Sequence, residues 1–320
     1  MMFRTILKKM LSALLALTTL SASVSGFLSL PRVPSKDKTV DLSKFTLVWS
    51  DEFDGTELDR SKWGYEWWVT ERKGGYWHED MVSVRDGNLV ISAQYFDEPL
   101  ENRYYDQWHE KINFKPYRAG WYTGQVVTRD KYEQCYGYFE CRCILPAATG
   151  LWSAFWMMNE GVFNVDGSGQ DGTEVDVFES FYYKDHWWGA DAISTGIHYD
   201  GYGEGHHGDS IGKWYLAGDP YKEYNTYGVE WNPDEYIFYI NGHETGRLST
   251  GGVSQNPEYL LLSVEFGGKD GVQSSDRTST GKISKTPKEN WPAEFIVDYV
   301  RCYQYNEYLP TITDGDIILK

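Results

Sequence analysis

Residues Tyr227–Gly242 read YGVEWNPDEYIFYING. Tyr227–Trp231 and Tyr236–Ile240 within it are short aromatic and β-branched runs with period-two alternation, the pattern of a half-buried strand. Asn241-Gly242 ends the second run with a dipeptide suited to the positive φ angles of a tight hairpin turn. The same grammar continues in both directions. Asn88–Ala93 (NLVISA) follows another turn dipeptide, Asp86-Gly87, and Gly137–Leu145 (GYFECRCIL) and Phe295–Tyr303 (FIVDYVRCY) repeat the strand-like texture. No long stretch after the N-terminal segment has a 3.6-residue period, and no internal repeat occurs. The expected fold is all-β, a jelly-roll sandwich of two antiparallel sheets. Nothing inside residues 45–306 reads as a linker, so one domain is expected there.

The ends differ in character. Arg4, Lys8 and Lys9 precede a short apolar run, Leu11–Leu20, and then small residues through Gly26. That order predicts a secretory leader over residues 1–26 and an exported protein. The apolar run is well short of the ~20 residues a membrane span needs, so no stable membrane insertion is expected. Residues 27–44, with the polar Pro31–Lys38 stretch, read as a linker, and residues 307–320 as a tail or one extra strand. Four cysteines allow three pairings in an oxidising compartment. Cys141 and Cys143 share a strand face and should not bond each other; a bridge from either to Cys302 stays open. A monomer is the expected state.

Composition narrows the partner. The 320 residues include 14 Trp, 25 Tyr and 14 Phe, more rings than a core requires, so some should line a surface that meets something flat and amphipathic. Lys+Arg 30 against Asp+Glu 47 leaves a net charge of −17. A nucleic-acid partner is thereby disfavoured, because phosphate neutralisation needs a basic face. Sulfated chains are disfavoured on the same ground, and a neutral polysaccharide is the expected ligand.

The chemistry is concentrated in Gly172–Ser180, GTEVDVFES. In a regular strand Glu174 and Asp176 share a face and Glu179 points the other way. One extra residue taken up as a bulge at Val177-Phe178 returns Glu179 to the first face. Glu174 and Glu179 are then roughly 13 Å apart along the backbone at ~3.3 Å per step. Inward-leaning side chains reduce the carboxyl separation to about 5–6 Å, the spacing of a retaining glycosidase. An acidic strand can also be a solvated face or a Ca²⁺ site. The aromatic run Leu151–Met158 just upstream argues against the first, and the lack of turn residues in EVDVFE against the second.

EVDVFE resembles the bulged E-x-D-x-x-E signature of glycoside hydrolase family 16, the form found in laminarinases, agarases, carrageenases and endo-β-galactosidases. LVWSDEFDGTELDRSKW, VSVRDGNLVISA, YGYFECRCILPAATGLWSAFWMM, IHYDG, YGVEWNPDEYIFYINGHE and FIVDYVRCYQY are similar to successive segments of that family, in order. The resemblance implies a concave cleft in which Glu174 is the nucleophile, Asp176 the assisting carboxylate and Glu179 the general acid/base. It implies that Trp152 and Trp156 line the cleft and that His198 lies near the acid/base; core packing is the other reading of the tryptophans. Catalysis would need no cofactor. A structural Ca²⁺, common in the family, would take Glu52, the Gly87 carbonyl and Asp298, which otherwise read as ordinary turn and edge residues.

Departures from the laminarinase pattern bear on substrate. Glu265 stands before Phe266-Gly267 where a small residue is usual, and Trp77 and His78 replace an Asn-containing segment; all three are candidate substrate contacts. Trp187 and Trp188, with Tyr202 and His206-His207, read as cleft-rim residues. The rings are thus expected to divide between core (Phe139, Phe155, Tyr299) and sugar platform (Trp152, Trp187, Trp188, Tyr202). The expected activity is a secreted retaining endo-β-glycanase on β-1,3- or β-1,3-1,4-glucan. An endo-β-galactosidase on a host or algal galactan is the alternative within the class, a transglycosylase shares the mechanism, and a non-catalytic jelly-roll lectin is the alternative outside it.

Overall fold

The structure is a computed structural model that describes residues 34–65, 71–72, 75–101, 117–148, 150–181, 192–215, 219–266, 291–309, 311–313 and 316–318. The leader expected over residues 1–26 and the candidate contacts Trp187 and Trp188 lie outside the described residues. Among the described residues the secondary structure is strands and short 3₁₀ turns, in two main sheets. No described helix is long and apolar enough to cross a membrane.

The larger sheet has eleven strands, with Gly137–Ile144 and Ala293–Tyr305 at its centre. Asn225–Trp231, Tyr236–Ile240 and His243–Leu248 continue it as the hairpins that the Asn-Gly turn signals, with Asn241 and Gly242 both at positive φ. The smaller sheet has seven strands. Its central order is His207–Tyr215, Ala192–Tyr199, Glu174–Phe181, Leu151–Met158, Glu258–Phe266, Gln125–Val127. Pairing is antiparallel apart from the contact of Gly75–Trp77 with Gly120–Thr123.

One apolar core joins the sheets. Phe155, Met157, Val175, Val177, Phe178, Leu260, Leu262 and Val264 come from the smaller sheet; Ile91, Phe139, Cys141, Val229, Phe238 and Phe295 come from the larger. The Phe178 ring bridges the layers, with its centroid 4.3 Å from that of Tyr227 and 6.1 Å from that of Phe295. Phe139 and Phe155 are core residues, as expected. Tyr299 is not: it lies half-buried on the opposite face of its strand, donates to Glu140 Oε1 (2.8 Å) and sits under the Arg301 guanidinium.

All four cysteines are free thiols. Val300, not Cys302, is the partner of Cys141, and Cys302 faces Phe139. Cys141 and Cys302 are therefore diagonal neighbours, roughly 7–8 Å apart and beyond disulfide reach. The described part of the expected linker, residues 34–44, is tied down rather than free. Thr39 bridges His243, Val40 N–H donates to Gly242 O (2.9 Å), and Lys38 pairs with Glu244. In the expected tail, Thr311–Thr313 and Asp316–Ile318 pair as a small ribbon.

Candidate active site

On Leu151–Met158, residues Leu151, Phe155 and Met157 enter the core, so Trp152, Ala154, Trp156 and Met158 face the other way. The neighbouring strands can be read onto that outward face through their register. Met158 pairs with Glu174 and Tyr259, Trp156 with Asp176 and Leu261, Ala154 with Glu179 and Ser263, and Trp152 with Glu265. On the other side of the strand Glu174–Phe181, Glu174 pairs with His198, Asp176 with Gly196 and Glu179 with Ser194. Glu174, Asp176, Glu179, Trp152, Trp156, His198 and Glu265 thus form one grid on one sheet face.

The bulge makes this possible. Between Asp176 and Glu179 the strand Glu174–Phe181 advances three residues while Ala192–Tyr199 advances two, and the same slip separates Phe155 from Trp156 on the other side. Val177 and Phe178 both turn into the core, 1% and 0% exposed. Two consecutive inward side chains return Glu179 to the face of Glu174 and Asp176.

One side-chain nitrogen or oxygen from each of Glu174, Asp176 and His198 lies within 4.8 Å of the other two. His198 Nε2 is 3.4 Å from Asp176 Oδ2, and its Nδ1 is 2.9 Å from His206 Nε2. The Tyr202 hydroxyl donates to Glu174 Oε2. Burial raises Asp176 well above the usual carboxylate range, and the charges of Glu174 and Glu265 add to the effect. Burial is also the first cause that raises Glu179, reinforced by Asp176 and Glu174 and opposed by His198. A carboxyl that keeps its proton near neutrality can act as a general acid toward a leaving oxygen.

The other sequence-derived candidates separate into two groups. Trp156 is half-buried, packs with Met158, Tyr259 and Leu261, and donates through Nε1 to Ser263 Oγ at 3.1 Å, so packing and site face are combined in one side chain. Glu265 is on the grid, 5% exposed. Trp77 and His78, by contrast, are built into the scaffold. The Trp77 indole N–H donates to Val264 O (2.9 Å), bracing the strand that carries Glu265. His78 Nδ1 accepts the Asp80 N–H (3.0 Å) and its Nε2 meets Glu101 O (2.8 Å), which leaves neither ring nitrogen for a sugar hydroxyl. These are corrections to the expected substrate contacts.

The expected Ca²⁺ set does not fit a cation. Both Glu52 oxygens accept from Arg301, at 3.0 and 2.7 Å, and Asp298, at a bulge in its strand, pairs with Arg142. Gly87, with Asp86, is one of the two positive-φ residues of the turn before Asn88. Guanidiniums hold the carboxylates that a hard cation would need.

Register also reveals residues that composition did not single out. Ala154 and Ser263 are small residues in the same row as Glu179. Gln125, paired with Ser263, is 2% exposed, and its Oε1 has no hydrogen-bond partner among the described residues. No motif announces Gln125; its only signal is register counted across three strands.

The family model described as "Beta-porphyranase A-D, GH16 domain" matches residues 46–305. A β-glucanase from Rhodothermus marinus is 25% identical over 85% of this chain and 89% of its own length. β-Porphyranase B from Zobellia galactanivorans is 27% identical over 87% of this chain and 94% of its own. Among solved structures, SCLam, a non-specific endo-β-1,3(4)-glucanase, superposes with a TM-score of 0.64 at 24% identity, covering 87% of this chain and 98% of that one. That likeness is one of fold, the β-jelly-roll.

Proposed function

The chain belongs to glycoside hydrolase family 16 and is an endo-β-glycosidase, and from that premise we propose an exported, retaining endo-β-glycanase whose substrate is a β-linked galactan. The observation that carries the chemistry is the bulged strand, which places Glu174, Asp176 and Glu179 on one face with Glu179 raised as an acid. Glu174 attacks the anomeric carbon while Glu179 gives its proton to the departing glycosidic oxygen. Water then attacks the glycosyl-enzyme, Glu179 takes its proton, and the electron pair of the breaking bond returns to Glu174. Burial favours the protonated form of Asp176, which donates toward the nucleophile and keeps a second negative charge away from it.

The galactan reading is supported by the porphyranase family model over residues 46–305 and by Glu265 on the cleft floor beside Trp152. Export is supported by the leader-like N-terminus. The glucanase relative favours a second reading, a β-1,3- or β-1,3-1,4-glucan. The test is end-product analysis on agarose, porphyran, laminarin and lichenan, with the anomer of the new reducing end followed by NMR. Faster cleavage of the galactans, with neutral agarose ahead of sulfated porphyran as the net charge of −17 predicts and with the β-anomer formed first, is expected. Cleavage confined to laminarin or lichenan would install the glucan reading, and first formation of the α-anomer would remove the retaining mechanism.

A further inference from the structure

The turn after Ala192–Tyr199 does more than connect two strands. Asp200, buried and at φ +61°, accepts the N–H groups of Asp166 and Gly167 at 3.0 and 3.1 Å. Gly201 N–H donates to Val162 O at 2.6 Å. The strap from Asp200 to His206 is thereby anchored to the segment that follows Leu151–Met158, and it sends two side chains back over the catalytic strand. Tyr202, 53% exposed, donates its hydroxyl to Glu174 Oε2. His206 stacks on the Tyr202 ring at 6.1 Å and on the His198 ring at 5.1 Å. Gly208 faces His198 across the pair, and a Cβ there would come within 2.7 Å of His198 Nδ1, the atom that meets His206.

Two hydrogen-bond chains therefore end on the strap. One is Tyr202 to Glu174. In the other, His198 lies with Nε2 3.4 Å from Asp176 Oδ2 and shares a hydrogen bond with His206 through Nδ1, 2.9 Å from His206 Nε2. We propose that Tyr202 is a positioning residue for the nucleophile, holding Oε2 of Glu174 so that its other oxygen is presented to the anomeric carbon, with His206 setting the ring that carries it. This rests on Glu174 being the nucleophile.

An O–H donated to a carboxylate favours the ionised form. The Glu174 oxygen that Tyr202 holds becomes an ester carbonyl in the glycosyl-enzyme and regains charge as the carbon–oxygen bond breaks, so the hydroxyl assists the second half-reaction most. The charged and titratable groups around Glu174 are Asp176 and Glu179 on its own strand, His198 beside it, His206 on the strap and Glu258 on the strand Glu258–Phe266.

Tyr202→Phe keeps the stack on His206 and the edge contact with Phe163 (5.8 Å) while removing the hydroxyl alone. The primary test needs no substrate: a ¹³C NMR titration of the glutamate carboxyls in the full chain, with the Glu174 resonance identified by its loss in Glu174→Gln. In Tyr202→Phe that resonance should titrate at higher pH than in the parent. With agarose and laminarin oligosaccharides as kinetic probes, kcat should fall about 10- to 100-fold without a rise in KM. An unchanged Glu174 titration, or a raised KM with parental kcat, overturns the proposal and makes Tyr202 a sugar platform only. The underlying reading is checked separately by Glu174→Gly with azide. Rescue as an α-glycosyl azide upholds the nucleophile whatever Tyr202 does, whereas hydrolysis persisting in that variant removes both.

Discussion

Asp176 and Glu179 are both raised chiefly by burial, yet they differ in access. Asp176 is 4% exposed and fixed between Glu174 and His198, whereas Glu179 retains open surface toward the cleft beside Ala154. Only Glu179 can meet a leaving oxygen. Glu179→Gln should lower kcat by about 10²–10⁴-fold and remove the alkaline limb of the pH profile, because an amide has no proton to give and does not titrate. Glu174→Gln should abolish reducing-end release altogether. Both variants should still retard in glycan affinity gels, since Gln keeps the shape of Glu and leaves Trp152 and Glu265 on the same face in place. Loss of glycan retention together with hydrolysis would instead assign the two carboxylates to binding.

At the scale of the strand, the bulge is a device for register, and that is testable by length. Deleting Val177 removes the extra residue while leaving the pairing on either side intact, so Glu174, Asp176 and Glu179 should remain on one face. The variant should fold and keep measurable hydrolysis, at a cost of about 1–3 kcal/mol in denaturant unfolding for the lost core side chain. Inserting Ala after Phe178 shifts Glu179 by one residue toward the core and should abolish activity. Hydrolysis surviving the insertion but not the deletion would reverse the argument. The bulge was legible in the sequence because three carboxylates interleaved with apolar residues can share a face only if one residue is extra. Trp77, His78, Glu52 and Asp298 were not legible in that way. Their partners, Val264, Glu101, Arg301 and Arg142, are supplied by distant segments, and strand texture carries no information about which distant segment arrives. The pairing of Thr39 and Val40 was not legible for the same reason, since it depends on the hairpin around Asn241.

For the whole molecule, stability and the site are linked through Glu258. This carboxyl is fully buried at the root of the catalytic strand, where it accepts from Thr173 N–H (3.3 Å) and Thr173 Oγ1 (2.8 Å), the residue before Glu174. Burial pushes it up to about 8, against 4.5 for an ordinary glutamate. The folded chain therefore holds a proton that the unfolded chain releases between those two values. Its contribution to stability is fully present below the ordinary value and is lost as pH rises through the folded one. Asp176 and Glu179, raised in the same direction, act with the same sign. Glu52 and Glu244, lowered by Arg301 and Arg247, are ionised in both states throughout this window and add no slope. Unfolding free energy from urea titrations should therefore decline between pH 5 and pH 8, by up to about 1.4 kcal/mol per pH unit for each retained proton. Glu258→Gln should flatten part of that decline while leaving the slope due to the two site carboxyls. Stability that rises across the window, or a slope unchanged in Glu258→Gln, would show that the buried acid at the base of the catalytic strand is not protonated in the fold.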